Sequence, residues 1–206
     1  MSVPQPAPAG LALRHELVRK AIHLQSVAVP AAYALGVPRL PLLFLLLFLL
    51  VVALVVEIAR RRSATVRAGF SRLFASLLRD HEHSGLSGAT WLLLSFFLAL
   101  LLLPRQAAIA ATWAVSLGDA TAALAGRTFG RHRLTRDSSK TLEGSLACAA
   151  ISFIGAWLVA GLPIGISAAA GFLASAAEWP RHPLDDNLRI AAVVGGGILL
   201  WQLLFT

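Results

Sequence analysis

The chain has 206 residues, of which 57% are hydrophobic and 14% charged, with a formal net charge of +8. Soluble domains carry charge on about a quarter of their residues, so this composition excludes that class. A lone Cys148 excludes an intramolecular disulfide, a Cys/His zinc pattern and a thioredoxin-like pair, leaving the few charged residues and six histidines to carry any chemistry.

Residues 1–10 hold three prolines and no charge, and lack the basic-then-apolar order of a signal peptide. They read as a short disordered lead to a single membrane catalytic domain over residues 11–206. Seven apolar segments follow: Val18 to Val37, Leu40 to Ile58, Leu86 to Leu103, Ala107 to Gly126, Leu142 to Gly161, Ile164 to Trp179 and Leu188 to Phe205. The second has no charge before Glu57 and approaches the ~20 apolar residues that cross a ~30 Å hydrocarbon layer. The first contains Pro30 and opens with a charged turn, and the sixth is short and rich in Ala, Gly and Ser. Both features suit helices packed inside a bundle. The expected fold is an all-α, polytopic integral membrane helix bundle of about seven transmembrane helices.

Orientation follows from the basic residues. All Lys and Arg except Arg39 and Arg105 fall before the first segment or in its opening turn, after the second, between the fourth and fifth, or around the gap before the seventh. These positions share one side, which predicts a cytoplasmic N-terminus and an external C-terminus. The acids test the map independently, because the rule does not use them. All ten, from Glu16 to Asp186, fall at a cytoplasmic segment end or in a cytoplasmic loop. Such one-sidedness suits an enzyme with a cytosolic soluble substrate better than a transporter, whose ionisable groups belong near the midplane or on both faces.

Four constellations stand out. Glu16, Arg19, Lys20 and His23 are spaced i, i+3, i+4 and i+7, which gives them one helix face; a stripe of this kind belongs against a polar cavity, its plain alternative being a positive-inside anchor. Glu57, Arg60 and Arg61 end the second segment and read equally as a site or as a basic stop-transfer cluster. The following loop, with Val66, Phe70, Leu73, Phe74 and Leu77 at helical spacing, predicts an amphipathic helix in the headgroup layer. His81, Glu82 and His83 are adjacent and point different ways on a helix, so they are not expected to hold a metal.

The third constellation runs from Gly118-Asp119 through Gly126, Gly130 and Ser138-Ser139-Lys140-Thr141-Leu142-Glu143-Gly144. Asp119 lies inside an apolar helix, where an unpaired carboxylate is expensive, and it needs a cation. Gly118, Ala122 and Gly126 recur every four residues and make a smooth strip that another backbone or a nucleotide can approach. Ser139 and Thr141 flank the start of the fifth segment, whose backbone N–H groups and positive dipole end can hold phosphate, with Lys140 as a point charge beside them. The pattern G-x-x-x-x-G-K-[ST] is absent, so a soluble phosphate-loop fold is not indicated. The fourth group is Glu178 with Asp185, Asp186 and Asn187. Vicinal acids at a helix start serve as caps, yet two carboxylates and an amide also suit Mg²⁺ held together with substrate phosphates.

Glu16-Leu-Val-Arg19-Lys20-Ala-Ile-His23, Gly118-Asp119 with Gly126 and Phe129-Gly130, Ser139-Lys140-Thr141-Leu-Glu143-Gly144-Ser145 and Asp185-Asp186-Asn187 together resemble the CTP-dependent lipid kinases: dolichol, phytol, farnesol and diacylglycerol kinases. The resemblance spans about residues 15 to 190, and its central block is shared with phosphatidate cytidylyltransferases. The Lys, Asp, His-Gly-Gly and Asp-Arg block that closes the longer cytidylyltransferases has no counterpart here, which favours the kinase branch.

The resemblance implies transfer of the γ-phosphoryl group of CTP to the hydroxyl of a membrane lipid alcohol, a polyprenol, phytol-like alcohol or diacylglycerol. Mg²⁺ is expected on Asp119, Asp185, Asp186 and Asn187. The triphosphate is expected on Arg19, Lys20, Lys140 and the Gly126, Gly130, Ser139, Thr141 and Gly144 backbone. Glu143 would orient Lys140 or a metal-bound water, and His23 or Asp119 would accept the hydroxyl proton. The rival readings are a cytidylyltransferase making a CDP-lipid, and a non-catalytic transporter or scaffold for anionic lipids. Expected partners are a nucleoside triphosphate and a membrane lipid alcohol, not nucleic acid. The expected location is a bacterial inner membrane with the site facing the cytoplasm.

Overall fold

The computed structural model describes residues 23–74, 85–135, 140–179 and 184–205. Among these the chain is helical, with one isolated antiparallel bridge between Arg133 and Thr141. In chain order the helices are α1 (Ala28–Ala34), α2 (Arg39–Arg62), α3 (Ala64–Phe74), α4 (Gly88–Leu102), α5 (Arg105–Thr128), α6 (Leu142–Val159), α7 (Ile164–Ala177) and α8 (Asp186–Phe205). Four of them, α2, α5, α6 and α8, are long and apolar enough to cross a membrane; α4 and α7 are apolar but shorter. The first predicted segment is described only from His23 onward, where a helical turn at 23–25 and α1 are separated by a turn at 26–27. The amphipathic helix expected after the second segment is α3.

Local sequence explains the helix ends on one side of the bundle. Gly36 takes φ +100° after α1, and Pro38 then precedes the first residue of α2. Gly161, at φ +68°, and Pro163 repeat the device between α6 and α7. Glycine supplies the left-handed turn, and proline pre-sets the backbone for the next helix start. Pro104 opens α5 in the same way. The two basic residues of this side cap neighbouring helices. Arg105 donates to the Tyr33 and Ala34 carbonyls at the end of α1 at 2.9 and 3.2 Å, and Arg39 donates to Leu101 O near the end of α4. Each guanidinium faces the negative end of a helix dipole.

Helix α5 is the hub, packing on α1, α4, α6 and α8. Of its most apolar stretch 61% is buried, against 22% for α2. Composition accounts for the difference: α5 offers Ala107, Ala108, Ala110, Ala111 and Ala114 to close neighbours, while α2 turns Leu40, Phe44, Leu47, Phe48 and Val55 outward. Small residues let helix backbones approach, and large apolar ones suit acyl chains. Two π-helical turns, Ala114–Gly118 in α5 and Gly155–Val159 in α6, interrupt these helices. At their crossing the Trp113 indole lies on Gly155, where an added Cβ would stand 2.0 Å from Trp113 Cδ1, and Trp113 Nε1 donates to Ile151 O at 3.2 Å.

Candidate functional site

Asp119 follows directly on the π turn of α5. A π turn inserts one residue and so re-aims all that follows it on the helix; such turns are common at functional sites. Ser116 within it bonds Ser26 Oγ at 2.9 Å, fixing the segment before α1 to the middle of α5. The same segment carries His23, whose Nδ1 lies 3.7 Å from Asp119 Oδ2, the two side chains being 10% and 18% exposed. The cation that the sequence demanded for Asp119 is thus supplied by His23 when it is protonated.

Lys140 sits at the mouth of α6. Residues on either side of the preceding loop pair, Leu134 N–H with Lys140 O at 3.0 Å and Leu142 N–H with His132 O at 2.8 Å, and Thr141 caps α6 by accepting from Gly144 N–H at 3.2 Å. Lys140 Nζ donates to Glu178 O at 2.6 Å and to Asp186 Oδ2 at 3.0 Å. The other oxygen of Asp186 accepts from Arg189 at 2.7 Å, and Arg189 Nε also donates to Ala177 O. One carboxylate therefore lies between two cations at the meeting of α6, α7 and α8. Lys140 and Asp186 remain 28% and 31% exposed.

Several expected roles are redistributed. Glu143 accepts from His132, Nδ1 to Oε1 at 2.8 Å, so it steadies the loop rather than Lys140. Asp185 Oδ1 accepts from Asn187 N–H at 2.9 Å, and the Asn187 amide donates to Gly88 O at 3.4 Å. Asp185, Asp186 and Asn187 thus serve three different partners, and among the described residues no group of three His, Cys, Asp or Glu side chains converges on a metal position. The four-residue ligand set Asp119, Asp185, Asp186 and Asn187 is not assembled here.

Of the two occupants open to the small-residue strip, α6 takes the place, through the Ser152 and Thr141 side chains and the Gly144 backbone. An added Cβ would lie 2.8 Å from Ser152 Oγ at Gly118, 2.8 Å from Thr141 Oγ1 at Gly126, 2.0 Å from Gly126 O at Gly130 and 2.6 Å from Ala122 O at Gly144. Gly118, Gly126 and Gly144 close α5 onto α6, whereas at Gly130 the tightest contact is with its own preceding turn. Arg19, Lys20 and Ser139 lie outside the described residues, as do Glu16 and His81 to His83.

Arg189 completes the site without having been expected in it, and Glu178, grouped with the acids before α8, enters it through its backbone rather than its carboxylate. Arg189 had a signal in its i, i+3 spacing from Asp186. Glu178 contributes a main-chain oxygen, which no residue type announces.

A third charged cluster lies at the end of α2. Glu57 and Arg60 are 3% and 4% exposed and pair at 2.5 Å. Glu57 Oε1 accepts from Ser87 N–H at 2.8 Å and from the Thr90 hydroxyl at 3.3 Å, while Arg60 donates to Gly85 O at 2.6 Å and lies 5.4 Å from the Phe70 ring centroid. Sealed on all these sides, it is a clamp between α2, α3 and α4.

No family model and no solved structure matches the chain. A protein of Rickettsia prowazekii (strain Madrid E) described as uncharacterized is 30% identical over 133 residues, and the match covers 63% of this chain and 63% of the relative's length.

Proposed function

We propose that the protein is a membrane-embedded phosphotransferase that moves the γ-phosphoryl group of CTP to the hydroxyl of a lipid alcohol. The observation that carries the reading is the ammonium of Lys140, held by Asp186 and the Glu178 carbonyl beside the Thr141-capped start of α6. Phosphoryl transfer demands positioning and charge neutralisation above all, and preorganised donors supply both. The resemblance to CTP-dependent lipid kinases names the nucleotide and the acceptor class.

In this reading Lys140 and Arg189 neutralise the phosphates, and the N-terminus of α6 adds its dipole. His23 takes the proton of the lipid hydroxyl, and Asp119 stabilises the resulting imidazolium. The alcohol oxygen then bonds the γ-phosphorus, the bond to the β–γ bridging oxygen breaks, and CDP leaves with that electron pair. Mg²⁺ is normally bound by one or two carboxylates together with phosphate oxygens, so a single carboxylate such as Asp119 or Asp185 would hold it with the bound triphosphate, and it would then supply further charge neutralisation. Seven membrane-crossing segments, a cytoplasmic N-terminus, an external C-terminus and a cytoplasm-facing site in a bacterial inner membrane complete the proposal.

Purified protein in detergent, given a panel of radiolabelled nucleotides, Mg²⁺ and a total lipid extract, tests it. The expected products are CDP and a lipid phosphomonoester. CDP-lipid with pyrophosphate would reassign the enzyme as a cytidylyltransferase, and no Mg²⁺-dependent nucleotide consumption would leave a scaffold or transporter.

A further inference from the structure

The start of α4 has no side-chain cap of its own: Ser87 stands at the N-cap position and makes no capping bond. Helix N-termini need acceptors for their first N–H groups, and a carboxylate there is further favoured by the dipole. Glu57 provides both from another helix, through its bonds to Ser87 and Thr90. Arg60 holds the other oxygen of Glu57 and also the Gly85 carbonyl, so residues 85–90 are gripped at two points. Within that gripped segment the Gly88 carbonyl accepts the amide of Asn187, a buried side chain on the first turn of α8. Asn187 is the neighbour of Asp186, and Asp186 is the counter-charge of Lys140. A continuous line of polar contacts runs from the end of α2, through the start of α4, to the start of α8.

We infer that Glu57 and Asn187 are positioning residues: they fix the start of α8, and with it Asp186 and the Lys140 ammonium, by way of the N-terminus of α4. The purpose of this arrangement rests on the phosphotransfer reading, but its physical content is the placement of Lys140. It gives the buried Glu57–Arg60 pair a task beyond joining helices. It also gives Asn187 a task through its amide nitrogen, which donates to the Gly88 carbonyl.

The chain has two lysines, so modification of Lys140 by a water-soluble acylating reagent is read unambiguously by peptide mass spectrometry in the detergent-solubilised full chain. Acylation requires the amine to leave Asp186 and the Glu178 carbonyl. In Glu57→Gln and in Asn187→Ala the Lys140 rate should rise about five-fold, the factor equivalent to losing one net hydrogen bond. Arg39→Gln, which loosens α4 at its opposite end, should leave the rate at the wild-type value. An unchanged rate in folded Glu57→Gln and Asn187→Ala overturns the inference, as does an equal rise in Arg39→Gln, which would mark a general loosening of α4. Should Glu57→Gln fail to fold, Asn187→Ala against Arg39→Gln decides alone. If turnover is found, the same two variants should raise KM for the nucleotide more than they lower kcat. If turnover is absent while Lys140 responds, the positioning line stands and the kinase reading falls.

Discussion

The Glu57–Arg60 pair and the Lys140–Asp186–Arg189 group use the same chemistry in opposite ways. The first is sealed, with its two side chains 3% and 4% exposed and bonded to three neighbouring backbone or hydroxyl groups. The second is open, with the Lys140 and Asp186 side chains 28% and 31% exposed and placed at a helix mouth. A sealed ion pair holds helices together, because neither charge can be left behind without a large desolvation cost. An open one can exchange partners with a charged ligand at little cost to the fold. Burial, more than residue type, separates clamp from site in this molecule.

Mutations can break that contrast. The largest effect should be on turnover: Lys140→Ala is expected to reduce phosphoryl transfer about 10²–10³-fold, the usual consequence of losing one preorganised charge-stabilising donor. Its stability cost should stay within about 1 kcal/mol, as for solvent-screened pairs, so activity assays and denaturant titration of one sample would separate. Arg60→Leu should do the reverse, costing about 3–5 kcal/mol by stranding the Glu57 carboxylate, visible as a fall in thermal midpoint. An equal stability loss in both variants would erase the distinction between the clusters.

Two smaller effects sharpen it. Gly144→Ala places a methyl 2.6 Å from Ala122 O, and forcing α5 and α6 apart should cost about 1–3 kcal/mol while lowering nucleotide affinity, because the Gly144 N–H is the group that Thr141 caps beside Lys140. Arg105→Gln removes a cap at the opposite end and should cost only about 0.3–1 kcal/mol, with nucleotide affinity unchanged in a binding titration.

Much of the architecture was legible before any coordinates. Six of the seven apolar segments coincide with helices to within about four residues, since apolar length and the placement of Gly-x-Pro and charge are local properties. The site was legible in its members but not in its pairings. Asp119 and His23 announce themselves as polar groups in apolar surroundings, and Lys140 and Asp186 as charges where apolar segments begin. That Glu143 turns to His132, that Asn187 turns to Gly88 and that the glycines receive Thr141 and the α6 backbone depend on partners 10 to 100 positions away, as their separations of 11, 99 and 15 residues show.

By itself, then, the sequence determined an all-helical chain with membrane-length apolar helices, because burying apolar length and satisfying backbone groups are requirements that a segment meets on its own. Only the tertiary structure decided which charges face each other and which remain open to a ligand. Two polar clusters of like composition acquired different tasks from the packing of α2 against α4 and of α7 against α6 and α8, since the energy of a charge is fixed by what surrounds it rather than by the residue that bears it.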